Sequence, residues 1–184
     1  MNILDRLIPG KIIRDFGTLR SSSFKIGGES LSVLLIDQYG EFRLALRKKI
    51  WALVGFGVSD IDLSLGSAYR LRTIIDECEQ IANTRDSPQS SRMSLRRRII
   101  QDFGRLEQVS SLLYRETKSV RFIELTGKLW LEFRYAVWGF LGASWNSRLL
   151  TLEEALKLRE FINSSEELAQ KLSPTLYIPR PAIL

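Results

Sequence analysis

From Glu41 to Trp51 the chain alternates: Phe42, Leu44 and Leu46 fall on one side, and Arg43, Ala45, Arg47, Lys49 and Trp51 on the other. A period of two predicts a β-strand with one apolar face. Upstream, Lys11 to Ile26 alternates more loosely and predicts a first strand, with Gly27-Gly28 closing it. Ser30 to Asp37 is rich in aliphatic and β-branched residues, and Gln38-Tyr39-Gly40 supplies turn chemistry, so the second and third strands form a hairpin. Beyond Gly55 and Gly57, read as turn residues, a short fourth strand from Ile61 to Leu65 leads into a helix. From Gly66 to Ala82 the period changes to that of a helix, with Ala68, Leu71, Ile74, Ile75, Cys78 and Ile81 on one apolar stripe.

The same pattern is written twice. Ile12-Ile13-Arg14-Asp15-Phe16-Gly17-Thr18-Leu19 reads against Ile99-Ile100-Gln101-Asp102-Phe103-Gly104-Arg105-Leu106 at an offset of 87 residues. On that register, without a gap, Gly40 meets Gly127, Leu44 meets Leu131, Arg47 meets Arg134 and Trp51 meets Trp138. It continues into Leu71, Arg72 and Ile75, which meet Leu158, Arg159 and Ile162. An internal repeat of this length implies two copies of one unit. The second copy predicts strands at Ile99 to Leu113, Ser119 to Leu125, Lys128 to Gly139 and Arg148 to Leu152. Its helix starts at a capping box of Thr151 and Glu154 and carries Ala155, Leu158, Phe161, Ile162 and Leu168 on its stripe.

The unit is therefore ββββα. The fold class expected is α+β: two ββββα repeats forming an intramolecular pseudo-dimer of curved antiparallel sheets, with helices packed on one side. A unit this small buries only about 60% of its unfolded surface, so a shared core favours pairing. The first repeat is expected over 11–82 and the second over 99–172. Between them, 83–98 has the composition of a flexible, basic, Ser-rich linker, and 173–184 forms an extended Pro-rich tail.

Composition narrows the chemistry. The chain of 184 residues has 27 Lys and Arg against 21 acids, a net charge of +6, which favours polyanions or an anionic surface as partners. There is no histidine, and Cys78 is the single cysteine. Most catalytic triads, zinc sites and any intrachain disulfide are thereby excluded. The acids Asp37, Asp102, Glu124 and Glu132 are too scattered to propose a carboxylate pair. No cofactor, no metal and no enzymatic activity are expected. Cys78 lies on the apolar helix stripe and reads as a core residue. No apolar run reaches the roughly 18 residues of a membrane span, and Met1 to Gly10 lacks a secretory core, so an intracellular soluble protein is expected, in cytoplasm, nucleoid, nucleus or an organelle.

The chemical signal is the third-strand face of each copy: Arg43, Arg47, Lys49 and Trp51 in one, Trp130, Arg134 and Trp138 in the other. Guanidinium groups track phosphates while indole faces stack on unpaired bases, a combination suited to single strands. Trp51 and Trp138 admit two readings, as equivalent core residues or as contacts. Trp130 stands at the position of Arg43 and has no aromatic duplicate. Arg96-Arg97-Arg98 reads as a solvated linker end, with phosphate contact or a nuclear import patch as the other reading.

The junctions Leu63-Ser64-Leu65-Gly66-Ser67-Ala68 and Leu150-Thr151-Leu152-Glu153-Glu154-Ala155, followed by Leu71-Arg72 and Leu158-Arg159, together with the hairpin Gln38-Tyr39-Gly40-Glu41-Phe42-Arg43-Leu44, carry a resemblance. The chain resembles the superfamily of Whirly proteins, positive-cofactor-type coactivators and purine-rich-element binding proteins. The Lys-Gly-Lys-type signature of Whirly proteins and the glycine-rich start of the purine-rich-element binders are absent. The resemblance implies binding of single-stranded DNA or RNA through a curved sheet, in transcription or nucleic-acid maintenance, with contacts at Arg43, Arg47, Lys49, Trp130 and Arg134. The competing expectation is a protein-interaction or assembly module using the same sheet surface. The partners expected are single-stranded DNA or RNA, a protein at the sheet face or the tail, and a further copy of the chain, but no membrane.

Overall fold

The computed structural model describes residues 10–24, 26–53, 55–84, 97–140 and 142–173. The chain runs β1 (Lys11–Phe24), β2 (Gly27–Gln38), β3 (Glu41–Ala52), β4 (Gly55–Ser64), α1 (Leu65–Thr84), β5 (Arg98–Ser111), β6 (Tyr114–Leu125), β7 (Lys128–Gly139), β8 (Gly142–Thr151) and α2 (Leu152–Leu172). The strands form two four-stranded antiparallel sheets, ordered β1-β2-β3-β4 and β5-β6-β7-β8. The fold is thus α+β with two ββββα repeats. The start of the chain before Gly10, most of the Ser-rich linker with Arg96, and the Pro-rich tail beyond Ser173 lie outside the described residues.

Local chemistry sets each hairpin. Tyr39 and Gly40 have φ of 59° and 81°, and Thr126 and Gly127 have 52° and 74°. Two consecutive left-handed residues make the tight turn whose twist matches paired strands. The Gly40 N–H also donates to Asp37 Oδ1 at 2.7 Å.

The loose alternation of the first strand has a physical origin. The β1–β2 register shifts between Ile12 and Arg14, Asp15 and Gly17, and Thr18 and Arg20. The β5–β6 register shifts between Ile99 and Gln101, Asp102 and Gly104, and Arg105 and Glu107, the same places one offset later. Such bulges bend a strand and break its period of two. At the middle one the Gly17 and Gly104 N–H groups donate to Asp15 and Asp102 at 2.8 and 2.9 Å.

Several strands outrun their sequence patterns. β4 begins at Gly55 instead of Ile61, β8 at Gly142 instead of Arg148, and β6 at Tyr114 instead of Ser119. Gly27 and Gly28 lie inside β2, and Gly55 and Gly57 inside β4, where turns were expected. At Gly28 the reason is contact: a Cβ there would stand 2.3 Å from Trp51 Cζ2 and 2.6 Å from the Ser22 carbonyl oxygen. The cross-strand indole takes the space that a side chain would fill.

Register places Val33, Leu35, Leu44, Leu46, Ile61 and Leu63, all buried, on one face of the first sheet, and the smaller cluster of Leu34, Ile36 and Ala45 on the other. The helix stripes are buried at Ala68, Leu71, Ile74, Ile75 and Cys78 and at Ala155, Leu158, Ile162 and Ala169. The start of α2 is the anticipated capping box. Glu154 N–H donates to Thr151 Oγ1 at 3.1 Å, and Thr151 N–H donates to Glu154 Oε2 at 2.9 Å. In α1 Ser64 accepts from the Ser67 N–H at 3.3 Å, and no acid completes the box.

Compactness divides the chain differently from the repeats. One unit takes the chain up to Ala68 and again from Glu160 on, and the other takes Tyr69–Arg159. Within the first, the Phe16 and Phe161 rings stack at 5.8 Å between centroids. Within the second, Arg70 donates to the Arg105 carbonyl at 2.9 Å, and Arg159 donates to both Asp76 and Glu79 at 2.7 Å. Donating these hydrogen bonds to Asp76 and then Glu79 raises the Arg159 guanidinium above its ordinary value. Each unit therefore combines one sheet with helical residues that follow the other sheet in sequence.

Candidate nucleic-acid interface

On the first sheet, strand alternation and register put Arg43, Arg47, Lys49 and Trp51 on one face with Asp60 and Asp62 of β4. Arg43 Nε donates to Asp62 at 2.5 Å, and Arg43 also reaches Glu41 at 3.4 Å. Arg47 binds both oxygens of Asp60, with Nε at 2.9 and 3.2 Å and Nη2 at 2.7 Å. These hydrogen bonds raise the Arg47 guanidinium above its ordinary value, against a lowering by burial and with help from the charges of Asp60 and Asp15. Two of the anticipated phosphate contacts thus face carboxylates across the ladder. Lys49 is exposed, and Trp51 is partly exposed with its ring over Gly28.

The second sheet keeps the backbone and changes the charges. At the positions of Asp60 and Asp62 it has Ser147 and Leu149, and at Arg43 it has Trp130. Arg134, the equivalent of Arg47, stands between Ser119 and Ser147 and has no carboxylate partner among the described residues. Two residues further along the same face, Ala136 stands between Thr117 and Trp145. Two more bring Trp138, between Arg115 and Ala143. Arg115 is exposed and likewise has no carboxylate partner among the described residues. Trp138 is 58% exposed and Trp145 80%. The two indoles are diagonal neighbours on adjacent strands, about 7–8 Å apart at the backbone, and each faces an alanine across the ladder. The small neighbours leave the ring faces open.

Trp130 belongs to a different neighbourhood. It lies eight residues from Trp138 along β7, about 26 Å at the rise of a strand. It is half-buried, and its Nε1 is buried without a hydrogen-bond partner among the described residues. Along β7, Arg134 stands four residues from both Trp130 and Trp138 on one face, and what separates the two indoles is that Trp130 is half-buried and Trp138 exposed; in the other sheet Lys49 and Trp51 lie two residues apart.

Two neighbours in the second sheet escaped the sequence reading. Trp145 lies in the stretch before Arg148 that carried no strand assignment, although Ala143, Trp145, Ser147 and Leu149 continue one alternation. Arg115 lies between the first two strands expected in the second copy, where no element was assigned, and belongs to β6. The arginine run is also resolved in part: Arg97 is ion-paired to the buried Glu132, and Arg98 is exposed at the start of β5. Cys78 is buried, which pushes its thiol up to about 12, so it stays protonated near neutral pH. No group of three His, Cys, Asp or Glu among the described residues is placed to hold a metal ion.

No protein-family model and no curated protein matches the chain. Among solved structures it is similar to WHY1 from Arabidopsis thaliana, at 9% identity over 93% of this chain and 98% of that one, with a TM-score of 0.43. It is similar to the plant transcriptional regulator PBF-2 at 12% identity over 92% of each chain, TM-score 0.43. It is similar to WHY3 from Arabidopsis thaliana at 13% identity over 89% of this chain and 99% of that one, TM-score 0.41.

Proposed function

We propose that the chain binds single-stranded DNA or RNA, without catalysing a reaction, through the face of the second sheet that carries Arg115, Arg134, Trp138 and Trp145. The observation that carries this reading is two open indoles beside two guanidinium groups that no described carboxylate neutralises. A phosphate approaching Arg134 displaces only water, whereas one approaching Arg47 must compete with Asp60 at 2.7 Å. Each indole offers a π-face to an unpaired base, about 1–3 kcal/mol per stacked base. A duplex keeps its bases stacked on one another and leaves these rings without partners. Among the anticipated contacts, Arg134 and Trp138 are central, Lys49 and Trp51 form a lesser patch, and Arg43 and Arg47 are silent.

The test is a titration of intrinsic tryptophan fluorescence with single-stranded and duplex oligonucleotides at two salt concentrations. Quenching by the single strand alone is expected, with each arginine–phosphate contact contributing about −0.7 to the slope of log affinity against log salt. No affinity at low salt, or equal affinity for duplex, overturns the reading.

A further inference from the structure

Each sheet ends in the same way at its own pair of turns, β1–β2 and β3–β4 in the first and β5–β6 and β7–β8 in the second. In the first, Ile26, Leu53 and Phe56 are exposed, Leu53 at 85%; in the second Leu112, Leu113 and Phe140 are exposed, Phe140 at 88%. Leu53 and Phe140 are equivalent in the two repeats, as are Ile26 and Leu113. An apolar turn on one hairpin is unremarkable, since single exposed apolar residues are common. Large apolar side chains exposed at the same turns in both copies are a recurring feature, and clustered exposed apolar groups mark contact surfaces.

Three observations select the partner. First, the apolar side chains project from both faces of the first sheet's end: Ile50 lies on one face, and Trp51, Phe56 and Val58 on the other. A protein partner covers one face, whereas a hydrocarbon medium surrounds both. Second, the segments 21–28 and 50–59, and 108–115 and 137–147, contain no Asp or Glu. The carboxylates next to these segments are held internally: Glu29 by Lys48 at 2.7 Å, Asp60 by Arg47 at 2.7 Å, Glu107 by Lys118 at 3.2 Å, and Glu116 by Lys118 at 3.1 Å and Tyr114 at 2.5 Å. The exposed charges beside these ends with no carboxylate partner among the described residues are the cations Lys49 and Arg115. Two copies meeting through these ends would oppose like charges, but an anionic surface would be attracted. Third, the Leu53 N–H donates to the Ile26 carbonyl at 3.2 Å, joining the two turns of the first sheet beyond its last paired residues. That bond satisfies one donor and one acceptor at the tip, which lowers the cost of bringing the turns against lipid.

We propose that these hairpin ends dock on a bilayer containing anionic lipid. Contact is peripheral, as no described helix is long and apolar enough to cross a membrane. From Leu53 back to Ile50 is about 10 Å of strand, matching the about 5–10 Å reached by interfacial segments. Trp51 and Trp138, two residues behind the turns, fall at headgroup level, where indoles concentrate. Lys49 and Arg115 then face the phosphate and carboxylate groups of the lipids.

The test is co-sedimentation of the full chain with vesicles of equal parts phosphatidylcholine and phosphatidylserine, and with vesicles of phosphatidylcholine alone. Binding to the mixed vesicles is expected, with much weaker binding to the neutral ones. Ile26→Ser with Leu53→Ser, and Leu113→Ser with Phe140→Ser, should each weaken vesicle binding about tenfold. All four side chains are exposed, so unchanged melting and unchanged oligonucleotide affinity serve as the fold control. Equal binding of parent and variants would assign the effect to surface charge and overturn the insertion. Failure of the parent to bind either vesicle would overturn the proposal outright. Concentration-dependent self-association lost in the variants, with vesicles ignored, would assign the ends to a second copy instead.

Discussion

At the repeat offset, Leu31, Ala45 and Ile61 of the first sheet stand where the second has Lys118, Glu132 and Arg148, and all six are buried. On the outer ladder the exchange runs the other way: the ion pairs Arg43–Asp62 and Arg47–Asp60 are replaced by Trp130 beside Leu149 and Arg134 beside Ser147. The first sheet keeps its interior apolar and neutralises its surface. The second carries charge inside and leaves surface guanidinium groups open. Glu29 and Glu116 show how one backbone accommodates both. The acid is retained, while its partners change from Arg20 and Lys48 to Lys118 and Tyr114. Turn chemistry and bulge position are common to the two sheets, so the electrostatics diverged while the fold stayed constant.

The largest effect that would sharpen this comparison is expected at Lys118. Lys118→Ala leaves Glu107 and Glu116 without their buried cation, and urea unfolding should show a loss of about 3–5 kcal/mol. Arg47→Ala, removing a pair near the surface, should cost about 0–1 kcal/mol. Equal losses would mean that the two sheets place their charges in the same energetic setting. Next comes binding: Arg115→Ala with Arg134→Ala should weaken single-strand affinity roughly 10–100-fold, against about threefold or less for Arg43→Ala with Arg47→Ala. Fluorescence anisotropy at low salt measures both, and a larger loss from the first-sheet pair would invert the assignment of the interface. Trp145→Ala should cost about 1–3 kcal/mol of affinity with duplex binding unchanged. The smallest expected effect is a gain: Asp60→Ser, which writes the second sheet's residue into the first, should free Arg47 and tighten binding about twofold to threefold. No gain would mean that Arg47 cannot reach a phosphate even when unpaired.

Much of this architecture is legible in the residues. Phe42, Leu44 and Leu46 against Arg43, Arg47 and Lys49 mark β3, Lys128 to Gly139 coincides with β7, and Thr151 with Glu154 marks the start of α2. What stayed hidden has one physical cause. The far ends of β4 and β8, from Gly55 to Asp60 and Gly142 to Ser147, are exposed on both faces, so no burial imposes an apolar alternation on them. Without those ends Asp60 could not be set across from Arg47, nor Trp145 beside Trp138. Asp60 becomes the partner of Arg47 once the ladder is extended, and a tryptophan outside any recognised strand comes to stand beside Trp138. The triple bulge loosened the alternation of β1, which was still legible as a strand, since each shift resets the parity that an alternation relies on.

The interchange of helical residues between the compact units bears on how the molecule can be taken apart. A fragment ending after α1 would hold the first sheet but lack the segment from Glu160 on that clusters with it, and the complementary fragment would lack Tyr69 to Thr84. Neither piece contains a whole compact unit, so neither is expected to fold alone. Mixed together, the two should assemble in trans into the intact arrangement, so reconstitution from severed pieces is open to this protein where autonomous folding of either is not.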